Sequence, residues 1–330
     1  MKIKMNWKII GLFLLFLLFL GLGPLLSQKL YWMHLVILCL LYSILTMSLV
    51  LILRTGHLTL AHAAFMGIGS FSSALLVMKL GLSFWLALPL SGLIAAIIAL
   101  ILGYPILRVR GIYFVIITLA FSTVVALIAL NWNLLGGYVG ITGIPRPNAI
   151  GSIDFSSKIH YYYLILLLAA IAGLVIYRIE TSRFGRILRA IGEDDVLTES
   201  IGVDLLRYKL MAFAVGSFWA GVAGAFFAHY LRYTSGDLFG VWESLQYVIF
   251  AIVGGTSSAV AGPVIGVFVL TIFAELLPIP DIAQPFLFGA VLIQVVLTLP
   301  GGLISLPQQF LAFMARLPWR KRKPINHGTA

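Results

Sequence analysis

Long uncharged apolar runs recur along this chain of 330 residues, and they constrain its fold more than any other feature of the sequence. Several runs reach the roughly 20 residues that a helix needs to cross the hydrocarbon core of a bilayer. Only 10% of the residues are charged, whereas soluble domains usually carry about 25%. The short alternation typical of membrane β-strands is missing. We therefore predict an all-α integral membrane protein, a polytopic helical bundle.

The apolar runs predict about ten transmembrane segments, some of them broken. The uncharged run 246–274 would be about 44 Å long as one helix, well over the hydrocarbon core of about 30 Å. It should therefore break, and Gly254-Gly255 and Gly262-Pro263 are the candidate positions. Residues 1–28 begin like a signal peptide but have a poor cleavage site, which favours an uncleaved first helix. The predicted spans are 9–27, 32–53, 60–78, 83–103, 112–130, 161–177, 210–231, 243–261, 263–277 and 284–299.

The distribution of basic residues predicts that both termini are cytoplasmic. Of twenty-two Lys and Arg, all but five then fall on the cytoplasmic side, as the positive-inside rule expects. The same rule accounts for the net charge of +11 without nucleic acid as a partner. We expect one domain, 1–330, with an external Gly/Pro-rich loop at 131–160, a charged cytoplasmic loop at 179–208 and a basic cytoplasmic tail at 316–330. The five exceptions are Lys29, Lys79, Arg146, Lys158 and Arg232.

Acidic residues collect in the charged loop: five of the eleven in the chain lie between positions 192 and 204. A helix with Arg183, Arg186 and Arg189 along one side should begin after Thr181-Ser182 and stop at Gly192. A second short helix should run through 193–201 and end at Gly202. Its apolar residues recur every four positions, which is typical of a helix that docks into a groove on a partner. A solvated loop with balanced charges is the alternative. The apolar positions are Leu197, Ile201 and Leu205.

Several ordered motifs resemble the permease subunits of branched-chain amino-acid ABC transporters, the leucine/isoleucine/valine type. In the charged loop they are SRFGR at 182–186, EDD at 193–195 and ESIG at 199–202. In the apolar regions they are LTLAHAAFMGIG at 58–69, RGIYF at 110–114, TLAF at 118–121, LGGYVGI at 135–141 and GPVIG at 262–266. The resemblance covers most of the chain, and the order of the motifs makes it specific.

The resemblance implies that the loop 179–208 couples to separate ATPase subunits. It further implies a homologous second permease subunit, an extracytoplasmic solute-binding protein, and a place in the bacterial cytoplasmic (inner) membrane among its lipids. Branched-chain amino acids are the implied substrates, with other amino acids, urea or short amides as alternatives. The implied coupling residues are Arg186, Arg189, Glu193, Asp194, Asp195, Leu197, Glu199, Ile201 and Gly202.

Polar and small residues within the apolar runs are candidates for a translocation path. Polar groups at membrane depth usually face a bundle interior or a wet cavity. Thr55-Gly56 should break the chain before the third span, which we therefore expect to open as a half-helix. Close helix packing is the alternative for the glycines, and a hydrogen bond within the bundle is the alternative for the histidine. The path candidates are Thr59, His62, Gly67, Gly69, Ser70, Thr118, Gly136 and Gly137.

Sequence motifs for chemistry are missing from the chain. It has no GxxxxGK[ST], HExxH or GxSxG motif, so we expect no catalytic residue, no metal and no cofactor on this chain, with ATP bound by the partner subunits. Two other classes stay open. An ion-coupled secondary carrier would need ionisable groups at mid-membrane, of which the sequence offers no pair. A membrane scaffold or enzyme would move no solute.

Overall fold

The computed structural model describes residues 30–109, 111–149, 155, 157–277, 280, 283–299 and 301–306. The predicted first span 9–27, the basic tail 316–330 and Arg110 of the RGIYF motif lie outside the described residues. The described residues form eleven α-helices and one pair of short strands. The helices are α1 Leu30–Leu53, α2 His62–Met78, α3 Phe84–Ile106, α4 Ile112–Asn131, α5 Lys158–Thr181, α6 Arg183–Glu193, α7 Asp195–Ser200, α8 Leu205–Leu231, α9 Val241–Gly254, α10 Ala261–Leu276 and α11 Gln284–Thr298.

Seven helical segments of the described chain are long and apolar enough to cross a membrane. They contain α1, α3, α4, α5, α8, α9 and α11, and α2 and α10 are shorter apolar helices. Nine predicted spans fall within the described residues, and each coincides with one of these helices. The helical membrane bundle is thereby confirmed. The total of ten spans and the side on which each terminus lies stay predictions.

The long uncharged run breaks once, in the segment 255–260 between α9 and α10. Gly254 ends α9, and Gly255 follows with φ +101°, a conformation that favours glycine. Gly262-Pro263, the other candidate break, instead lies in the first turn of α10. Proline is tolerated there because its missing N–H would have no partner within the helix. The predicted helix 243–261 was therefore too long at its C-terminal end.

Helices α1 and α8 form the centre of the bundle and are buried over most of their length. Helices α2 and α3 pack on α8, while α5, α9 and α10 pack on α1. Helices α4 and α11 lie at the periphery and expose most of their apolar side chains. We call the end of the bundle that carries α6, α7 and the break 255–260 the α6–α7 end. The turn 54–56 after α1 lies there too.

Glycines bring α2 and α8 into backbone contact. A Cβ on Gly69 would collide with the backbone of Gly221, and one on Gly224 would collide with the Met66 carbonyl. The other side of Gly221 meets Ala95 of α3. Small residues allow such close approach in lipid, where apolar side chains gain little by leaving the hydrocarbon. These contacts fix the position of α2 within the bundle.

A two-residue antiparallel pair joins the loop after α4 to the chain after α8 at the opposite end. Strand β1 is Ile141–Thr142 and strand β2 is Tyr233–Thr234, with Ile141 opposite Thr234. His229 of α8 strengthens the link, because its Nδ1 donates to the Pro145 carbonyl (2.7 Å). Its Nε2 can then accept from the Ser73 hydroxyl of α2 (3.0 Å). This loop is thus fixed to the bundle core.

Candidate functional site

Two short helices, α6 and α7, form the element predicted to dock. Ser182 caps α6, because its hydroxyl accepts from the Gly185 amide (3.3 Å). Helix α6 was predicted to stop at Gly192, but it continues through Gly192 to Glu193. Asp194 then caps α7 by accepting from the Leu197 amide (2.9 Å). The predicted helix 193–201 is therefore wrong at both ends, since α7 covers only Asp195–Ser200.

Gly192 contacts the turn 54–56 instead of breaking a helix. A Cβ on Gly192 would collide with the Arg54 carbonyl oxygen and would lie 3.2 Å from the Gly56 amide nitrogen. Because both neighbours are backbone atoms, a larger residue at position 192 must move α6. The missing side chain thus lets α6 rest directly on the turn that follows α1.

We expect Gly192→Ala to destabilise this contact by about 1–3 kcal/mol, the usual range for overpacking. Thermal unfolding of the purified chain in detergent would measure the loss. The matched control is Gly289→Ala in α11, where an added Cβ meets no atom within 4 Å. The control should be neutral or slightly stabilising, since alanine favours a helix. Equal effects of the two substitutions would contradict a specific contact at Gly192.

The two arginines assigned to coupling hold α6 on the end of α5. Arg189 Nη2 donates to the Glu180 carbonyl oxygen (3.1 Å), and Arg186 Nη1 donates to that of Thr181 (3.4 Å). Cations near the last carbonyls of a helix are favourable. Arg186 and Arg189 thus orient α6, although their side chains are partly open to solvent.

An exposed apolar patch lies on and beside α7. We call Val196, Leu197 and Ile201 the α7 patch; their exposed fractions are 63%, 64% and 76%. Leu205, predicted to continue the stripe, is instead buried as the first residue of α8. The reason is that Gly202 takes a left-handed conformation (φ +87°) and turns the chain before α8 begins. Contiguous exposed apolar side chains at the end of a bundle indicate an interaction surface.

Acidic residues surround the α7 patch. Glu193 and Glu199 are exposed, and Asp194 serves as the cap of α7. Asp195 lies 3.7 Å from the ammonium of Lys209, a buried residue of α8. This pair ties the base of α7 to the bundle. The patch therefore has the apolar centre and polar rim of a typical protein interface.

Two open clefts flank Gly192. One, of about 230 Å³, lies between the end of α1 and α6 and includes Arg54 and Arg189. The other, of about 310 Å³, lies between the turn 54–56 and the start of α7 and includes His57 and Lys209. Among the described residues, no three His, Cys, Asp or Glu side chains come together as a metal site would require. Both clefts are open and border the contact of α6 with the turn 54–56.

An unwound segment, residues 57–61, leads from the turn 54–56 into the bundle and precedes α2. Side-chain hydroxyl groups form hydrogen bonds with its backbone amides and carbonyls. The Leu60 amide donates to Thr118 Oγ1 (3.1 Å), and the Leu60 carbonyl accepts from Ser122 Oγ (2.6 Å). The Ala61 amide donates to Thr59 Oγ1 (3.1 Å). Non-helical backbone at membrane depth requires such partners. The structure thus shows the predicted break before α2, whereas its opening as a half-helix along a path stays a prediction.

The first turn of α2 is also held by side chains. The Ala63 amide donates to Ser244 Oγ of α9 (3.0 Å). His62 Nε2 and Ser48 Oγ of α1 lie 2.8 Å apart, and His62 is fully buried. Nδ1 of His62 has no hydrogen-bond partner within the described residues. His62 thus joins α1 to α2, as the bundle-internal alternative expected, and its assignment to the path stays a prediction.

The other path candidates lie apart from the unwound segment. Gly67 faces the Phe239 ring, and Ser70 Oγ lies 2.7 Å from Thr234 Oγ1 of β2. Gly69 contacts α8, as described above. Gly136 and Gly137 lie in the loop after α4, where Gly136 has φ +86° and a Cβ on it would collide with the Gly140 carbonyl. These residues shape the bundle and its loop, and their role in a path stays a prediction.

Several residues of these sites were not singled out from the sequence. Ser122 and Ser244 lie on helices distant in sequence from the segment that they satisfy, so only the fold brings them together. Val196 had a usable signal, because it is the apolar neighbour of Leu197. The predicted stripe included only residues spaced by four and so left out Val196. Helix α7 is too short for that spacing to decide which side chains are exposed.

We expect Thr118→Val to destabilise the bundle by about 1–3 kcal/mol, because the buried Leu60 amide would lose its acceptor. Valine keeps the shape of threonine, which isolates the hydroxyl. The matched control is Thr123→Val, on the exposed side of the same helix, whose hydroxyl donates to the Leu119 carbonyl of its own helix (3.1 Å). Unfolding in mixed micelles would compare the two. A loss no larger for Thr118→Val than for Thr123→Val would contradict the assigned role.

Comparison with known proteins agrees with this architecture. The family model described as "Branched-chain amino acid transport system / permease component" matches residues 31–296. The high-affinity branched-chain amino acid transport system permease protein LivM of Escherichia coli K12 is 31% identical over 293 residues, which cover 82% of this chain and 69% of LivM. No solved structure matches the chain significantly.

More distant relatives point the same way. The probable LivM of Methanocaldococcus jannaschii is 26% identical over 238 residues, covering 66% of this chain and 67% of the relative. The LivH permease protein of Escherichia coli K12 is 26% identical over 275 residues, covering 77% of this chain and 87% of LivH. The residues matched by the family model, 31–296, include the central helices, the unwound segment and the α6–α7 element. This chain therefore belongs to the family of branched-chain amino-acid transport permeases.

Proposed function

We propose that this chain is the permease subunit of an ATP-driven importer of branched-chain amino acids in the bacterial inner membrane. The observation that carries the coupling role is the α7 patch, three exposed apolar side chains rimmed by acids, on and beside a helix whose first turn is tied to α8 by Asp195 and Lys209. Relatives of this chain are named as permeases of high-affinity branched-chain amino-acid transport. Membership of this family supports branched-chain amino acids as the substrate. The α7 patch supports docking of the ATPase subunits on this chain.

The proposed assembly contains this chain, a homologous second permease, two ATPase subunits and an extracytoplasmic solute-binding protein. The α6–α7 end faces the cytoplasm. There the ATPases bind ATP and contact the α7 patch. The opposite end, with β1 and β2, faces the solute-binding protein. The similarity to both LivM and LivH supports pairing of two related permeases.

Transport would follow from rigid-body movement of α6 and α7. Closure of the ATPases on ATP would shift these helices, and the Gly192 contact would carry the shift to the turn 54–56. The unwound segment 57–61 continues from that turn, so its hydroxyl partners lie where the path would open or close. In this proposal Thr59, Thr118 and His62 line the path.

Reconstitution separates the competing functions. The chain, purified with its partner subunits into vesicles, should take up labelled leucine only when ATP and the solute-binding protein are present. An excess of unlabelled isoleucine or valine should reduce that uptake, whereas urea should not. Uptake that needs neither ATP nor partners, and that an uncoupler abolishes, would instead establish a secondary carrier. Vesicles that move no solute would exclude both transport functions.

A further inference from the structure

A buried carboxylate at the α6–α7 end joins three parts of the chain. Glu180, in the last turn of α5, forms an ion pair with Arg54, which follows α1 (Oε1 to Nη2, 2.5 Å). Both carboxylate oxygens also accept from the Ala259 amide in the break 255–260 (3.2 and 3.0 Å). The side chains of Arg54 and Glu180 are 15% and 11% exposed. We call Arg54, Glu180 and their partners in the break the Glu180 joint.

Arg54 also binds the break 255–260 directly. Its Nη2 donates to the Ser257 carbonyl (3.0 Å) as well as to Glu180. The Arg54 Nε is buried and has no hydrogen-bond partner within the described residues. Loss of the Glu180 charge would therefore leave a mostly buried guanidinium without its anionic partner. This charge pair thus contacts the break at two positions, Ser257 and Ala259.

The joint touches the coupling element at two backbone positions. The Glu180 carbonyl accepts from Arg189 of α6 (3.1 Å), and the Arg54 carbonyl lies against Gly192. The chain then passes from Arg54 through the turn 54–56 to the unwound segment 57–61. The joint consequently lies between α6 and two interruptions of the membrane helices, the unwound segment and the break 255–260.

A joint of this kind favours transmission of movement. A buried ion pair adds little net stability, because desolvation offsets its attraction, but its geometry is specific. The planar guanidinium and the carboxylate hold their partners in a defined orientation. Interruptions of membrane helices are the places where a bundle can bend without breaking helical hydrogen bonds. A displacement of α6 therefore reaches both interruptions through Glu180 and Arg54.

We propose that Glu180 is a positioning residue that transmits movement of α6 and α7 to the unwound segment and to the break 255–260. The inference rests on the proposed coupling of this chain to ATPases. It adds that the coupling passes through a charge pair in the permease itself, beyond the α7 patch. Glu180 needs no contact with substrate or ATP for this role.

Hydrogen exchange on the purified chain tests the joint without any partner. Glu180→Gln and Glu180→Ala should each raise amide exchange in both 57–61 and 255–260 roughly tenfold, as local opening becomes easier. Glutamine retains an acceptor for the Ala259 amide, so this variant isolates the charge and should still fold if alanine does not. The matched control is Glu275→Gln, an exposed acid of α10. Exchange that stays unchanged in either segment would overturn the proposal.

The ratio of transport to ATP hydrolysis tests transmission in the full complex. Glu180→Gln should leave the ATPases bound and hydrolysing ATP, while leucine uptake per ATP falls roughly tenfold, a typical coupling between sites. Arg54→Gln should do the same, and the double variant should be no worse than either, because both remove one interaction. Uptake and hydrolysis that fall in parallel would overturn the proposal and mark Glu180 as structural. Failure of the unaltered complex to import leucine with ATP would refute the proposed function, whereas the exchange experiment would still decide the joint.

Discussion

Leu197→Glu is expected to release the ATPases from the solubilised complex and to abolish ATP-dependent uptake, while the permease itself stays folded. Leu197 is 64% exposed, and substitutions at such positions usually change stability by about 0.5 kcal/mol or less. In the proposed complex the same side chain enters an apolar groove, where a carboxylate without a partner is costly. A central interface residue of this kind contributes about 2 kcal/mol or more, which is a roughly thirtyfold or larger loss of affinity.

Co-purification of the ATPases with the tagged permease measures this release, and size-exclusion chromatography checks that the permease stays monodisperse. Ile201→Glu should have the same effect, because Ile201 belongs to the same patch. The matched control is Leu80→Glu, at a leucine with 69% exposure at the opposite end of the bundle. It should leave the complex intact. Retention of the ATPases by Leu197→Glu would rule out the α7 patch as their docking site.

Gly69→Val is expected to prevent stable folding of the bundle. The Cβ of any larger residue would collide with the backbone of Gly221 in α8. Overpacking of side chains usually costs about 1–3 kcal/mol, and this collision should reach the upper end or exceed it, because neither helix backbone can rotate away as a side chain does. Gly221 also packs on Ala95 of α3, so a shift of α8 would disturb a second helix contact.

Yield of monodisperse protein and thermal unfolding in detergent would measure the effect of Gly69→Val. Gly289→Val in α11 provides the control, since an added Cβ there meets nothing within 4 Å. It should be neutral or slightly stabilising, because valine has a higher helix propensity than glycine. Wild-type stability of Gly69→Val would show that α2 and α8 do not depend on this backbone contact.

Much of the helical architecture was predictable because membrane helices are specified locally. A span satisfies its own backbone hydrogen bonds, so its apolar length alone identifies it. Thr55-Gly56 and Gly254-Gly255 were recognised as interruptions for the same reason, since glycine and turn residues act over a few positions. Ser182 likewise finds the amide that it caps, that of Gly185, in its own sequence neighbourhood, and the start of α6 was correctly placed.

In the α6–α7 element, local sequence patterns predicted the roles of two residues incorrectly. Gly192 was read as a helix break, because a glycine inside a helix is usually unfavourable. In the structure it remains helical, and its lack of a side chain is used for contact with the Arg54 carbonyl. Leu205 matched the four-residue spacing but belongs to α8. Both differences come from contacts with residues far away along the chain, which no local pattern reports.

The sequence by itself determined that this chain is a helical membrane protein, where most of its helices lie, and to which family it belongs. Those properties follow from hydrophobic length and from short motifs, which are read along the chain. Only the tertiary structure decided that hydroxyls of α4 satisfy the unwound segment, that glycines join α2 to α8, and that Glu180 binds both Arg54 and the break before α10. Each of these contacts joins residues distant in sequence, because buried polar groups and close backbones require partners that only packing can supply.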